Sequence, residues 1–171
     1  MATKLYLVPA TSRNGARRYL ERTVLTGVER DFYSKFTESD LDGRIRVWGL
    51  ISSMKTRWEI IDKSDWFLFY TKNGEYEYAA QVAGKENNKS LGDALRKEIL
   101  HPDPDEDRDW NLLVFFQEPV PVTISGERVQ ELFDYRNQYP VRFTRVINDR
   151  LDSLRAEYGN VDKFIDAISD N

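Results

Sequence analysis

Asn73-Gly74, set between the aromatic runs 66–70 and 76–82, constrains the fold of this chain more than any other pair of residues. Both tolerate positive φ, so the pair predicts a tight hairpin and obliges the two flanking runs to lie antiparallel in one sheet. The hairpin belongs to a longer stretch, 46–84, that combines four buried-type strand patterns with three of the four tryptophans. Strand cores are ordinarily filled by Val, Ile and Leu. A concentration of Trp, Phe and Tyr on adjoining strands therefore points to flat faces for a flat ligand, and a nucleic-acid base is the obvious candidate.

Around this hairpin the apolar runs 4–8, 44–50, 110–116 and 122–124 read as further strands, giving about six in all. Helical spacing predicts helices over 16–28, 54–61 and 148–158, and Ser125 opens one through Tyr135. Asp93 is expected to cap a helix to Leu100, and 161–168 to form a last one. The polar segment 85–92 and the proline-rich acidic segment 101–109 read as loops. Strands mostly adjacent in sequence, with helices at both ends, favour an α+β fold with a small mixed sheet curled into a partly open barrel of five or six strands.

At 171 residues the chain is expected to form a single domain, with a helical extension from about residue 126. No run approaches the roughly 20 apolar residues a membrane span needs, so no membrane partner is expected. The absence of cysteine excludes disulfides and thiolate zinc sites and fits a cytoplasmic location. The net charge of −4 hides an asymmetry: residues 1–100 carry 17 Lys/Arg against 14 Asp/Glu, and residues 101–171 carry 8 against 15. A basic face in the first part is compatible with phosphate contact; an ordinary mixed-charge surface explains the same numbers.

The order RVWGLISSMKTRWEIIDKSDWFLFYTKNGEYEYAAQVAGK, then a variable loop and DWNLLVFFQEPVPVTI, resembles the EVE domain, a relative of YTH and other PUA-like domains. With the tail VRFTRVINDRLDSLRAEYGNVDKFI it is also similar to the N-terminal specificity domains of McrB-type modification-dependent restriction systems. The resemblance runs from about residue 45 to 164. It implies a PUA-like barrel that flips a modified base into an aromatic cage. Extraction costs a few kcal/mol of pairing and stacking, offset by stacking worth roughly 1–3 kcal/mol per base.

On this resemblance Trp48 stands where the YTH family carries a cage tryptophan at the end of its strand, and it is expected to face a hollow large enough for a base. Gly49 would admit close backbone approach, Gly49 and Leu50 would offer backbone groups to the base edge, and Ser52 and Ser53 hydroxyls. The family takes a second cage wall from the loop after the returning strand, but 85–90 holds no aromatic residue. Tyr33, Phe32 or Phe36, or Trp66 and Tyr70, are the substitutes. Core packing is the competing reading of Trp48 and the preferred one for Phe67 and Phe69. Trp58 reads as a lid on the sheet and Trp110 as a strand-edge anchor. Candidate phosphate contacts are Arg13, Arg17, Arg18, Arg44, Arg46, Lys55, Arg57, Lys85 and Lys89, although surface solvation explains any one of them.

Catalytic constellations are missing from the sequence. His101 is the sole histidine and no serine sits in a nucleophile elbow, so no catalytic residues, metal or cofactor are expected. Asp103, Asp105, Asp107 and Asp109 mimic a calcium loop, but Arg108 replaces its turn glycine and Val114 its bidentate glutamate. The expected function is a non-enzymatic reader of N6-methyladenine or 5-modified cytosine in DNA, working beside a motor or nuclease subunit. An RNA-modification reader and a protein–protein interaction module are the alternatives.

Overall fold

The computed structural model describes residues 2–39, 41–72, 74–101 and 109–170. The first turn residue of the expected hairpin, Asn73, and nearly all of the acidic loop, 102–108, lie outside them. The hairpin itself is present: β3 (Trp66–Lys72) and β4 (Glu75–Asn87) run antiparallel, with Lys72 opposite Glu75 and Gly74 at φ +88°.

On one side of the hairpin β3 pairs in parallel with β1 (Leu5–Pro9), which pairs with β7 (Thr144–Arg145). On the other side the long β4 serves two partners in succession. Its first half pairs with β6 (Val120–Ser125) and its second half with β5 (Leu112–Phe116), which carries β2 (Arg46–Leu50). The register slips between Val82 and Gly84, the point where β4 leaves one partner for the other. A bulge there raises the local twist and curls the sheet. The order β2-β5-β4-β3-β1-β7, with β6 off the path, is an open sheet. The seven strands exceed the expected five or six because β7 has only two residues, too few for any periodicity to register.

Alternation along the strands sorts side chains into separate cores. Phe67 and Phe69 face the inside of the curl with Tyr6, Val8, Trp48, Leu50, Val114 and Phe116. That interior is closed by Leu20 and Val24 from α1 (Ala16–Tyr19), whose last turns, Leu20–Leu25, widen to a π-helix. Trp66, Leu68 and Tyr70 face the other way. They meet α5 (Gly126–Phe133), α6 (Asp152–Tyr158) and α7 (Val161–Ile168) through Leu132, Leu154 and Phe164. A third cluster joins Val47, Leu113 and Phe115 to Tyr33 of α2 (Arg30–Tyr33) and to Leu91 and Leu95.

Two expected boundaries move for local reasons. The first helix stops at Leu25, not Val28, because Gly27 takes φ +82° and Val28 leaves to bridge Ile45. Residues 85–87 are strand, not loop, and α4 (Lys89–Ala94) begins before Asp93: the Asn88 side chain accepts the Leu91 N–H at 2.9 Å and is the true cap. Ser125 caps α5 as its sequence position predicts, accepting from the Arg128 N–H.

Candidate nucleic-acid interface

β2 ends in Trp48-Gly49-Leu50 and hands over to the turn that opens α3 (Lys55–Glu59). Trp48 points into the curl of the sheet and is only 6% exposed, edge-on to Phe69 with ring centroids 5.3 Å apart. The expected hollow beside it is closed in this structure: Trp48 is sealed among the inner-face side chains, while the Trp110 indole packs over Gly49 on the opposite face of β2, with ring centroids 6.3 Å apart and planes inclined at 60°. A Cβ on residue 49 would lie 2.0–2.3 Å from three atoms of that indole, so the missing side chain is what admits the ring. Asp109, the neighbour of Trp110, ties the arrangement down by accepting from the Ser52 N–H at 2.8 Å and the Ser52 hydroxyl at 2.7 Å. Ser53 is exposed beside it.

The proposed substitutes for the second wall lie elsewhere. Tyr33 is buried in the third cluster, its hydroxyl donating to the Gly43 carbonyl at 2.6 Å. Trp66 and Tyr70 have the parity of Leu68 and so stand on the opposite face of β3 from Phe67, Phe69 and Trp48. The Trp66 indole donates to Asp162 at 2.7 Å and anchors α7; the Tyr70 hydroxyl accepts the Gly74 N–H at 2.6 Å. Phe32 and Phe36 pack beside Tyr33. Trp110 is the aromatic group that the fold brings to Trp48. It belongs to the third cluster with Val47, Leu113 and Phe115, on the face of β2 to which Gly49 alternates and Trp48 does not, so parity with Leu112 and Val114 would have put it on the wrong side.

The candidate cations divide by what already holds them. Lys85 donates to the Trp58 and Glu59 carbonyls at 2.9 and 2.7 Å, with its ammonium 4.7 Å from the Trp58 ring centre. It closes the C-terminus of α3, and partial burial pulls it below the ordinary lysine range. Trp58 is the lid its position suggested, its indole donating to the Leu113 carbonyl at 3.2 Å. Arg46 donates to the Val24 and Leu25 carbonyls and caps the π-helical turns; Arg44 reaches back to Thr26, Gly27 and Glu29. Arg17 binds Glu21 and the Thr71 carbonyl, Arg18 the His101 carbonyl, and Lys89 pairs with Asp93. Lys55 and Arg57 are exposed next to Ser52 and Ser53, and they and Arg13 have no side-chain partner among the described residues.

The sequence reading missed a surface at the other end of the sheet. Two cavities, of about 540 and 440 Å³, meet there at Tyr139, and Trp48 lines neither. The signal was present: residues 135–148 hold three arginines and no acid within the otherwise acidic second part of the chain.

The whole fold aligns with the N-terminal domain of Thermococcus gammatolerans McrB bound to m5C DNA, at a TM-score of 0.67 over 91% of this chain and 96% of that one, with 17% identity. The chain has the fold of that McrB domain. The open seven-stranded mixed sheet with flanking helices is the α+β fold expected from the sequence, and its likeness to the McrB domain agrees with the McrB-type resemblance. ASCH from Zymomonas mobilis shares the same architecture more loosely, with a TM-score of 0.51 and 8% identity over 90% of this chain and 94% of that one. A YTH domain of Zygosaccharomyces rouxii MRB1 protein in complex with N6-methyladenosine RNA aligns at 0.48 and 9% identity, over 93% of this chain and 88% of that one. No family model and no curated protein sequence matches the chain. Among the described residues no helix is long and apolar enough to cross a membrane, and no cluster of His, Asp or Glu could hold a metal.

Proposed function

We propose that this chain is a reader of a modified base in DNA, acting as a single unit without chemistry of its own beside a motor or nuclease subunit. The observation that carries the reading is the likeness of the whole fold to the McrB domain bound to m5C DNA, with Trp48 at the end of β2 and the exposed cations Lys55 and Arg57 in the helix that follows. Two aromatic faces that sandwich a base need about 7–8 Å between them, twice the carbon–carbon contact distance of roughly 3.5–4.0 Å. The two indoles stand 6.3 Å apart, inclined at 60° and on opposite faces of β2, so Trp110 is not the second face of such a sandwich. A flipped base reaches Trp48, which is 6% exposed, only when the inner face around it opens. The McrB domain with the same fold is bound to m5C DNA, which makes 5-methylcytosine the first base to test and N6-methyladenine the second.

The measurement is fluorescence anisotropy with matched duplexes, methylated and unmethylated, and with the RNA equivalents, which separate DNA from RNA through the 2′-hydroxyl. The wild type should prefer one methylated duplex, and Trp48→Ala should abolish that preference. With stacking worth about 1–3 kcal/mol per base, the variant loses roughly 5- to 150-fold on the modified duplex. Full discrimination retained by a folded Trp48→Ala refutes the cage.

A further inference from the structure

The surface at Tyr139 carries an inference independent of the tryptophan pair. β2 and β4 run in the same direction and β3 against them, so the C-terminal end of β3 lies at the opposite end of the sheet from the end of β2. There the segment between α5 and β7 folds over the sheet edge. It forms a cavity of about 540 Å³ lined by Tyr76, Tyr135, Tyr139, Arg136, Arg142 and Arg150 among others. A second cavity, of about 440 Å³, continues past Tyr139 to Ser12, Tyr70 and Lys72.

The three arginines are not equivalent. Arg150 is a fixed part of the wall: it donates to the Phe133 carbonyl at 3.0 Å and to the Asp134 carbonyl, and its guanidinium lies 4.6 Å from the Tyr135 ring centre. Arg136 and Arg142 have no side-chain hydrogen bond, ion pair or ring contact among the described residues. Both face a cavity whose lining includes one acid, Asp134. Two arginines that line one hollow, with no side-chain partner among the described residues, suit a phosphate, which guanidinium groups bind bidentately. Tyr139 is 52% exposed, touches Tyr70 at 6.3 Å and 42°, and lines both cavities, so its ring offers a stacking face at their junction. A volume of about 540 Å³ falls in the range of small-ligand sites, roughly 300–1,000 Å³.

The geometry points to a second site that takes a nucleoside monophosphate unit, its phosphate on Arg136 and Arg142 and its base against Tyr139. The unit is either a free nucleotide or one residue of a single strand, and the two sources share this chemistry. The test is isothermal titration calorimetry on the full chain carrying Trp48→Ala, which removes the base-flipping site from the readout. One arm uses deoxyadenosine monophosphate and the other a short unmodified single-stranded oligonucleotide. Saturable binding in the strand arm, with or without the nucleotide arm, is expected. Competition between the two ligands assigns the site to a lone nucleotide; binding of the strand alone assigns it to a residue within a strand.

Arg136→Ala and Arg142→Ala should each weaken binding about tenfold, the loss of one charge-assisted phosphate contact. Tyr139→Ala should weaken it while Tyr139→Phe retains it, since the ring face and not the hydroxyl is used. All three side chains are on the surface, so unchanged thermal melting confirms that the variants fold. The proposal is overturned if neither ligand binds, or if the double arginine variant binds as tightly as its parent. It also fails if sedimentation shows the chain pairing with a second copy through Tyr139 and the 72%-exposed Val141 without taking up either ligand.

Discussion

Gly49→Ala is the sharpest perturbation that this packing offers, because the added methyl has one obstacle: its three nearest atoms would all belong to the Trp110 indole, at 2.0–2.3 Å. Real Cβ contacts do not come so close, so the indole must move. If the ring stays in the core and shifts, the penalty is that of an overpacked site, about 1–3 kcal/mol. If it is expelled, a tryptophan's burial of roughly 150–250 Å² is forfeited, which at about 25 cal/mol/Å² amounts to 4–6 kcal/mol. Alanine recovers roughly 0.5–1 kcal/mol over glycine in a strand. The cheaper route sets the cost, so a net loss of about 0–2.5 kcal/mol is expected, a fall in Tm of up to roughly 10 °C for a chain of this size. The assay is a double-mutant cycle by urea and thermal denaturation, with near-UV circular dichroism reporting the tryptophans. Trp110→Ala alone should cost about 3–5 kcal/mol. In that background Gly49→Ala should be neutral or slightly stabilising, a coupling of about 1–3 kcal/mol. Additivity within about 0.5 kcal/mol would refute the claim that Gly49 is reserved for Trp110.

Lys55→Ala and Arg57→Ala should weaken methylated and unmethylated duplexes alike and lower the salt slope of binding by about one each, because a phosphate contact carries no sequence information; a change in methyl preference would contradict this. Lys85→Ala should leave that slope unchanged and instead destabilise the fold by about 1–2 kcal/mol in chemical denaturation, since its ammonium is spent on two α3 carbonyls. Glu77 accepts from the Thr71 hydroxyl and, at 3.4 Å, from Arg17, and these contacts hold its carboxyl below the ordinary glutamate range, Thr71 foremost. A depressed folded-state value gives stability that is present above the unfolded value near 4.3 and lost as pH falls through the folded one. Glu77→Gln should thus lower Tm near neutral pH and narrow its deficit as the solution is acidified below about pH 4; a deficit independent of pH would show that the charge is not what these contacts stabilise.

Elements whose information is local can be read from the order of residues alone. Asn73-Gly74 and the alternating aromatics prescribed the β3–β4 hairpin; Ser125 set the start of α5, and Gly159, at φ +97°, ends α6. Parity placed Phe67 and Phe69 on a core face, and the order of the runs carried the resemblance to PUA-like domains. The same parity also separated Trp66 and Tyr70 from Phe67 and Phe69, a consequence that could have been drawn before any coordinates. What tertiary structure alone decided is which distant groups meet. Trp110 lies on Gly49 because β2 and β5 pair in one register, and Lys85, just past the register shift between Val82 and Gly84, reaches the end of α3. Arg136, Arg142 and Tyr139 share a cavity because the segment after α5 folds back over the sheet. Backbone propensity and periodicity act over a few residues and can be read in order. A contact between residues tens of positions apart depends on the register and curl of the whole sheet, which no short window of sequence contains.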